Sequence, residues 1–368
     1  MTATLAPAIV GHAATITRLH ELAAERRLSH ATMLSGPDGV GKTTVAEALA
    51  TALLDADRWP GGLRAHPDHW LEDSDAERVG IARVRAGGGD DVSGPSLQDF
   101  FSRAPYAGAL RVAVVGRADR LTEQAANCVL KTLEEPPAQT HILLCAAHPE
   151  RLPATILSRC QALALAPVPA AEISGWLAGA HGVESTLATT AAALSAGRPG
   201  RALALATEPG ALAVELGALE VLLGAGGGGR SAALRAAGGL APPNTAEGRE
   251  RALAQVSAFT AFLRDVAAIG AGAPELVLFT HYGAAAARWA ETLPPERVTH
   301  LLGRCVVTAD QLAQYAVPRL AYEVLFLDII AGEPPPPRVL PPPRPAGLLD
   351  GDGPSLPTTL RRRPQRRR

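Results

Sequence analysis

Residues 111–160 read RVAVVGRADRLTEQAANCVLKTLEEPPAQTHILLCAAHPERLPATILSRC, and their apolar pattern predicts strand, helix, strand and helix in turn. Continuous apolar runs at 112–115 and 142–145 flank a segment with helical spacing. Strands that alternate with helices predict a parallel sheet, a common core for nucleotide binding. The first strand ends in Gly116 and Arg117, where a nucleotide-hydrolysing site needs acids for magnesium and water. The stretch is therefore typical of a nucleotide site that lacks the acids for hydrolysis.

Length and charge limit the classes of protein to which the chain can belong. A chain of 368 residues is too long for one ordinary hydrophobic core, so we expect two or three domains. The formal net charge of −1 hides an asymmetry, because the residues from 333 onward carry eight Arg against three acids. The first 332 residues carry 27 basic against 33 acidic side chains, which argues against a general polyanion-binding surface.

Apolar runs and cysteines predict the location and the redox state of the chain. No apolar run is long enough to span a bilayer, and the first residues lack the pattern of a signal peptide. We therefore expect a cytoplasmic protein without membrane contacts. The four cysteines are scattered and form no CxxC pair, which argues against disulfides and against zinc. His66 and His69 have no further Cys or His nearby, so we predict no metal site.

A phosphate-binding loop is predicted directly after a short apolar strand at 31–34. The segment GPDGVGKT at 36–43 fits the pattern GxxxxGK[ST] and precedes an apolar helix, as a true P-loop does. Its glycines let backbone N–H groups turn toward phosphates, its lysine neutralises the β and γ charges, and its first threonine offers a hydroxyl to magnesium. The predicted nucleotide-binding residues are Gly36, Gly39, Gly41, Lys42, Thr43 and Thr44.

Five motifs together resemble the AAA+ subunits of bacterial DNA polymerase III clamp loaders. They are VGH at 10–12, GPDGVGKT at 36–43, LKTLEEPP at 130–137, PERLPATILSRC at 149–160 and GRPGRALALA at 197–206. The resemblance implies an α/β AAA+ P-loop module with a parallel sheet, followed by a helical lid and an all-α C-terminal collar domain. It places the nucleotide-binding core at 1–166, the lid at 167–207, the oligomerisation (collar) domain at 208–332 and a disordered Pro/Arg-rich tail at 333–368.

Two subunit types of that family compete, the ATP-hydrolysing gamma/tau motor and the delta-prime subunit. The motor pattern has Asp and Glu where this chain has Gly116 and Arg117, a polar sensor at Ala146 or Ala147, and an Arg at the position of Gly200. It also has zinc-binding cysteines, which are missing here, but some relatives of the delta-prime subunit carry that zinc module too, so its loss alone does not discriminate. Taken together, the departures favour the delta-prime subunit. An active gamma/tau-like ATPase with a divergent acid, the nearest being Asp119, and an AAA+ scaffold outside replication remain the alternatives.

The triplet Ser158-Arg159-Cys160 is the remaining chemical feature of the resemblance. In clamp loaders this triplet lies at a subunit edge, and its Arg reaches the γ-phosphate held by the neighbouring motor subunit. The resemblance therefore implies that Arg159, with Ser158, acts in trans as an arginine finger. Nearby, Glu134 and Glu135 end a predicted helix before two prolines, where they could cap, pair or contact a partner.

Function follows from the resemblance as an expectation. It implies a non-hydrolysing delta-prime subunit of the DNA polymerase holoenzyme that helps load the sliding clamp onto primed DNA in replication. The expected partners are the gamma/tau motor subunits, the delta subunit, the sliding clamp and, through the complex, primer-template DNA. ATP or ADP with Mg²⁺ is the expected cofactor, held without hydrolysis, and no zinc is expected.

Overall fold

The structure, a computed structural model, describes residues 9–25, 27–74, 78–85, 94–225, 229–314 and 316–330, with side chains left out at 246 and 280. Contacts divide these residues into two compact units. The first comprises the described residues up to Gly182 together with Gly197–Arg201, and the second comprises Val183–Ala196 and the described residues from Ala202. The predicted tail and most of a predicted loop at 86–95 lie outside the described residues. The predicted lid at 167–207 is shared between the two units, and the predicted domain boundaries stay predictions.

A five-stranded parallel sheet forms the centre of the first unit. Its strand order is β2-β3-β4-β1-β5, and the strands are β1 (Ala31–Ser35), β2 (His69–Glu72), β3 (Arg111–Val115), β4 (Thr140–Ala146) and β5 (Gln161–Ala164). All of β3 is buried, as its continuous apolar run predicts for a strand covered on both faces. The edge strand β5 instead alternates between half-buried and exposed residues. The predicted parallel sheet is therefore confirmed.

Helices cover both faces of this sheet because successive strand side chains point to opposite sides. The helices of the first unit are α1 (Ala13–Ala24), α2 (Lys42–Leu54), α3 (Leu97–Phe101), α4 (Glu123–Glu134), α5 (Ala154–Leu157) and α6 (Ala170–His181). Val112 and Val114 pack on one face with α1 and α2, whereas Ala113 and Val115 pack on the other with α3, α4 and α5. This three-layer arrangement is the α/β P-loop module that the sequence predicts.

The second unit is built from helices alone in its described residues. They are α7 (Ser185–Leu194), α8 (Pro199–Thr207, whose first residues belong to the first unit), α9 (Ala211–Ala225), α10 (Gly229–Leu240), α11 (Ala246–Gly270), α12 (Gly283–Thr292), α13 (Pro295–Ala313) and α14 (Pro318–Ile330). The long helix α11 packs against α9, α12 and α13. Its Phe262 meets Trp289 edge to face, and both rings are fully buried. The predicted all-α C-terminal part is confirmed.

One described helix, α11, is long and apolar enough by composition to cross a membrane. Half of its apolar stretch is buried within the structure, as in the core helix of a helical domain. Tyr322 of α14 also donates hydrogen bonds to Ala252 O and Gln255 Oε1 of α11, at 3.0 and 2.7 Å. These contacts make α11 the central packing element of the second unit, and its composition is weak evidence for a membrane span.

Candidate functional site

The C-terminal ends of the parallel strands lie along one side of the sheet, and the predicted phosphate-binding loop lies at these ends. β1 ends at Ser35 and runs directly into Gly36, whose amide donates to Ala146 O at the end of β4 (3.3 Å). Ligands of open parallel sheets bind at this edge. The structure therefore brings the predicted nucleotide-binding residues together in the expected place, while their binding role stays a prediction.

Glycines of the loop adopt backbone conformations that other residues rarely adopt. Gly36, Gly39 and Gly41 have φ angles of 147°, 80° and 108°. Gly41 precedes α2, whose N-terminus has no side-chain cap. The first N–H groups of α2 are consequently available to an anion, and the helix dipole favours negative charge at the same point.

Lys42 is the first residue of α2, and it is buried, with 6% of its surface exposed. Its ammonium donates to Gly36 O at 2.8 Å, to Pro37 O at 3.1 Å and to the exposed carboxylate of Asp38 at 3.2 Å. Three acceptors are what a buried ammonium needs to compensate for lost water. The loop thus holds its own lysine at the candidate phosphate site.

Thr43, also in the first turn of α2, is one of the groups that act on the pKa of the buried Cys145 thiol on β4. Burial raises the pKa of Cys145 to about 12, and the nearby charges of Asp73 and Glu47 raise it further, while Lys42 and Thr43 lower it. A thiol with this pKa stays protonated near neutral pH, so Cys145 is a packing residue of the site rather than a nucleophile.

Strand β3 ends beside this loop without an acid of its own, as the sequence indicates. Asp119, the nearest acid along the chain, accepts a hydrogen bond from the backbone N–H of His148 at 3.2 Å, in the loop after β4. The carboxylate of Asp73, one residue beyond β2, instead occupies the space that a side chain on Gly116 would fill. Sequence reasoning missed Asp73 because only the pairing of β2 with β3 brings it to this position.

Residues 197–201 also contact the phosphate-binding loop within the first unit. The backbone N–H of Gly200 donates to Gly39 O at 2.8 Å, and a Cβ atom added to Gly200 would lie only 3.2 Å from that oxygen. The position at which the motor pattern has an arginine therefore packs directly against the loop backbone. His12, from the VGH motif, contacts the same loop through Nε2 and Val40 O at 3.2 Å.

Arg159 lies near the N-terminal ends of the strands, whereas the phosphate-binding loop follows the C-terminal end of β1. It follows α5 and precedes β5, which is parallel to β1 and begins beside Thr32. The loop starts only after β1 has ended, so strands of four or five residues, roughly 13 Å long or more, separate the two features. The structure does not bring Ser158 and Arg159 to the chain's own candidate phosphate site.

The guanidinium of Arg159 is exposed but held by the chain itself. It pairs with Glu134, the last residue of α4, at 2.9 Å, and donates to Thr155 O at 3.0 Å. Ser158 caps the same turn by donating to Thr155 O at 3.1 Å. Of the roles that the sequence leaves open for Glu134, the structure shows pairing. Cys160 is half-buried, and burial raises its pKa to about 11, which fits a packing role.

Comparisons with known proteins find a family model for the N-terminal part of the chain and relatives similar to part of it. Residues 11–169 match a family model described as "DNA polymerase III, delta subunit". The DNA polymerase III subunit delta' of Escherichia coli is 32% identical over 192 residues, which are 48% of this chain and 54% of that protein. The subunit delta' of Bacillus subtilis is 32% identical over 156 residues, covering 39% and 44%. The subunit tau of Salmonella typhimurium is 34% identical over 157 residues, covering 41% and 24%.

These matches span about half or less of the length of each relative. A solved DNA polymerase III gamma subunit-related protein of Thermotoga maritima aligns with 84% of this chain at 17% identity and a TM-score of 0.39, too low to support a functional conclusion. Among the described residues, no group of three or more His, Cys, Asp or Glu side chains is arranged to hold a metal ion.

Proposed function

We propose that this chain acts as a delta-prime-type subunit of a DNA polymerase III clamp loader, because residues 11–169 match a DNA polymerase III delta-subunit family model and the chain is similar to delta' subunits over about half of their length. In this role it does not hydrolyse ATP itself. It contributes Arg159, supported by Ser158, to the ATP site of a neighbouring gamma/tau motor subunit. The complex then loads the sliding clamp onto primed DNA during replication.

The position of Arg159 is the observation that supports this proposal. Its guanidinium is exposed near the N-terminal ends of the strands, away from the phosphate-binding loop of this chain. It is therefore accessible to a second molecule and not to a nucleotide bound at that loop. A guanidinium beside a transferring phosphoryl group stabilises the charge that develops there. The same chain has Gly116 and Arg117 where a motor needs its acids, and this division fits a subunit that activates its neighbour.

The phosphate-binding loop supports nucleotide binding as a second part of the proposal. Gly36, Gly39 and Gly41 supply the backbone conformations, while Lys42 and Thr43 supply an ammonium and a hydroxyl. When bound, ATP or ADP supplies the phosphates and its Mg²⁺ ion the charge that orders them; the chain itself binds and orients. We assign no zinc to the site. The proposed partners are gamma/tau, the delta subunit, the sliding clamp and primer-template DNA through the complex, all in the cytoplasm.

Reconstitution with motor and delta subunits tests the trans role. Arg159→Ala is expected to leave the complex assembled and to depress hydrolysis at the site that receives this arginine, by roughly a thousandfold as for other trans-acting arginines. The measurement is clamp- and DNA-stimulated ATPase of the purified complex, with assembly followed by size-exclusion chromatography.

The matched control is Arg151→Ala, another exposed arginine from the same segment. It should leave ATPase at the level of the parent complex. Equal ATPase for the Arg159→Ala and parent complexes would contradict the trans role, and failure of the chain to co-purify with motor and delta subunits would favour an AAA+ scaffold outside replication.

An active motor is the second candidate, because tau subunits match this chain as well as delta-prime subunits do. The two candidates differ in the activity of the chain by itself. Sustained ATP turnover by the purified chain, lost in Lys42→Ala, would identify a motor. We expect no multiple turnover, since no acid follows β3 at residues 116 and 117.

A further inference from the structure

We propose that Asp73 supplies the carboxylate that associates with magnesium in the nucleotide site, in place of the acid missing from residue 116. This inference rests on the proposed nucleotide binding and is independent of the trans role of Arg159. It assigns to β2 a function that the motor pattern places on β3.

The register of the sheet brings Asp73 to this position. β2 and β3 pair in parallel from His69 beside Val112 to Glu72 beside Val115, so Asp73 is the next residue along and lies beside Gly116. The pairing continues to that point, since the Gly116 N–H donates to Glu72 O at 2.6 Å. A Cβ atom added to Gly116 would lie within contact distance of Asp73 Oδ1 and 2.7 Å from its Cγ. The carboxylate therefore occupies the place of a residue-116 side chain.

The neighbouring strand connects Asp73 to the phosphate-binding loop. Val115 of β3 pairs with Leu144 of β4, and the next residue of β4, Cys145, pairs with Leu34 of β1, so Gly116 and the Asp73 carboxylate lie level with the end of β1, just before the phosphate-binding loop. The charges of Asp73 and Lys42 both act on the pKa of the Cys145 thiol, which agrees with this placement. The hydroxyl and the ammonium come from the first turn of α2, and the carboxylate comes from the residue after β2.

This set of groups fits magnesium bound together with nucleotide phosphates. Magnesium prefers oxygen ligands, keeps several waters and usually takes only one or two carboxylates besides phosphate. One hydroxyl and one carboxylate meet that requirement without a preformed three-ligand cluster. Since Arg117 cannot polarise water, the arrangement supports magnesium-dependent binding without hydrolysis.

Nucleotide binding with and without magnesium tests the proposal on the full chain. The probe is a fluorescent ADP analogue, titrated in Mg²⁺ and in EDTA. Magnesium should tighten binding to the parent chain, and Asp73→Asn should reduce this tightening by about tenfold or more, as loss of a metal-orienting carboxylate does elsewhere. Affinity in EDTA should stay within about twofold. Mn²⁺ titration followed by electron paramagnetic resonance gives a direct reading of the ion.

Two further variants change the position of the carboxylate, so that the test does not depend on Asp73→Asn alone. Gly116→Ala should displace the Asp73 carboxylate and produce the same loss of magnesium dependence, because its methyl group takes that space. The double variant Asp73→Gly with Gly116→Asp transfers the acid from β2 to β3 and should restore the magnesium dependence. Melting temperatures of all variants confirm that they fold.

Asp119→Asn is the matched control, and its magnesium dependence should equal that of the parent chain. The proposal is overturned if Asp73→Asn and Gly116→Ala both bind nucleotide with parental magnesium dependence. It is also overturned, together with the proposed nucleotide binding, if the parent chain binds no nucleotide at millimolar concentration. Neither result bears on Arg159, whose test measures ATP hydrolysis by a neighbour.

Discussion

The ion pair between Arg159 and Glu134 joins two partly exposed side chains, with 37% and 43% of their surfaces accessible. Exposed pairs of this kind contribute about 0–1 kcal/mol to stability, because water screens the charges and two long side chains lose freedom. Its main effect is therefore on orientation. Together with the bond to Thr155 O, the pair restricts the directions in which the guanidinium can point.

Glu134→Gln tests this orienting effect. We expect the free energy of unfolding to change by less than about 1 kcal/mol and the ATPase of the reconstituted complex to fall, but by less than in Arg159→Ala. In the double variant, Glu134→Gln should add nothing to the loss caused by Arg159→Ala, since it acts through that residue. Additive losses would show that Glu134 acts on the neighbour directly.

His69 makes the stability of the fold depend on pH, and its contribution falls as the pH falls. Burial lowers its pKa from 6.5 to about 4, with help from the charges of Arg64 and His66. Between these values the unfolded chain binds a proton that the folded chain does not, so this residue lowers stability as the pH falls from 6.5 toward 4.

His69→Gln should remove this contribution. The difference in unfolding free energy between pH 7 and pH 4.5 should shrink by about 2 kcal/mol, at about 1.4 kcal/mol per pKa unit with allowance for partial exposure. Urea titration at the two pH values measures it. An unchanged difference would mean that His69 is protonated in the folded chain at pH 4.5.

Residues that fall in a motif of fixed local spacing could be singled out from the sequence, while their roles stay predictions. The glycines of the phosphate-binding loop fall in a motif with fixed spacing, and Ser158 and Arg159 fall in a recognisable triplet. The contacts of Asp73 and Glu134 could not be predicted from the sequence, because each of them meets a residue that lies far along the chain. Strand register places the first, and the packing of α4 beside α5 places the second.

At the level of elements, α14 is apolar on two sides. One side, with Tyr322, Leu325 and Phe326, is buried against α10 and α13. The other leaves Leu320 61% exposed and Val324 46% exposed, one helical turn apart. We call these two residues the outer row of α14. Apolar side chains exposed in a row on one helix are a candidate surface for contact with another subunit.

Charges on the outer row should weaken assembly without unfolding the chain. Leu320→Glu with Val324→Glu removes two side chains whose burial in an interface contributes about 1.5 kcal/mol or more each, which is about tenfold in Kd per residue. Analytical ultracentrifugation with the motor and delta subunits measures the effect. Leu276→Glu, at an equally exposed site outside α14, is the control. Equal assembly by both variants would exclude the outer row from the interface.

Element prediction succeeded where the pattern was strong. Continuous apolar runs located β1, β3 and β4. The prolines at 136 and 137 correctly predicted the end of α4. β2 and β5 have only four residues each, which is too short for a strong pattern.

For the whole molecule, nucleotide binding and turnover should be separable. The purified chain is expected to bind ADP or ATP, to lose that binding at least tenfold in Lys42→Ala, and to release no phosphate beyond one equivalent. Among the described residues of the loop, Lys42 alone donates from a charged side chain to the loop carbonyls. Its loss therefore removes the positive charge that would neutralise the phosphates. Equilibrium binding and a phosphate-release assay measure the two properties in the same sample.

The predicted class of the molecule, a P-loop module followed by helices, could be derived from strand and helix alternation and from motif order. The division into compact units could not. Residues 183–196 belong to the second unit while 197–201 return to the first, and such an exchange depends on packing that no local pattern encodes.

Gly116 and Gly200 each lie where a larger side chain would meet a neighbour. A side chain at residue 116 would displace the Asp73 carboxylate, and one at residue 200 would press on the backbone of Gly39. The acid and the arginine of the motor pattern therefore cannot be introduced at these two positions without rearranging the surroundings. Engineering ATP hydrolysis into this chain is consequently expected to need coupled substitutions, with residue 73 changed together with residue 116.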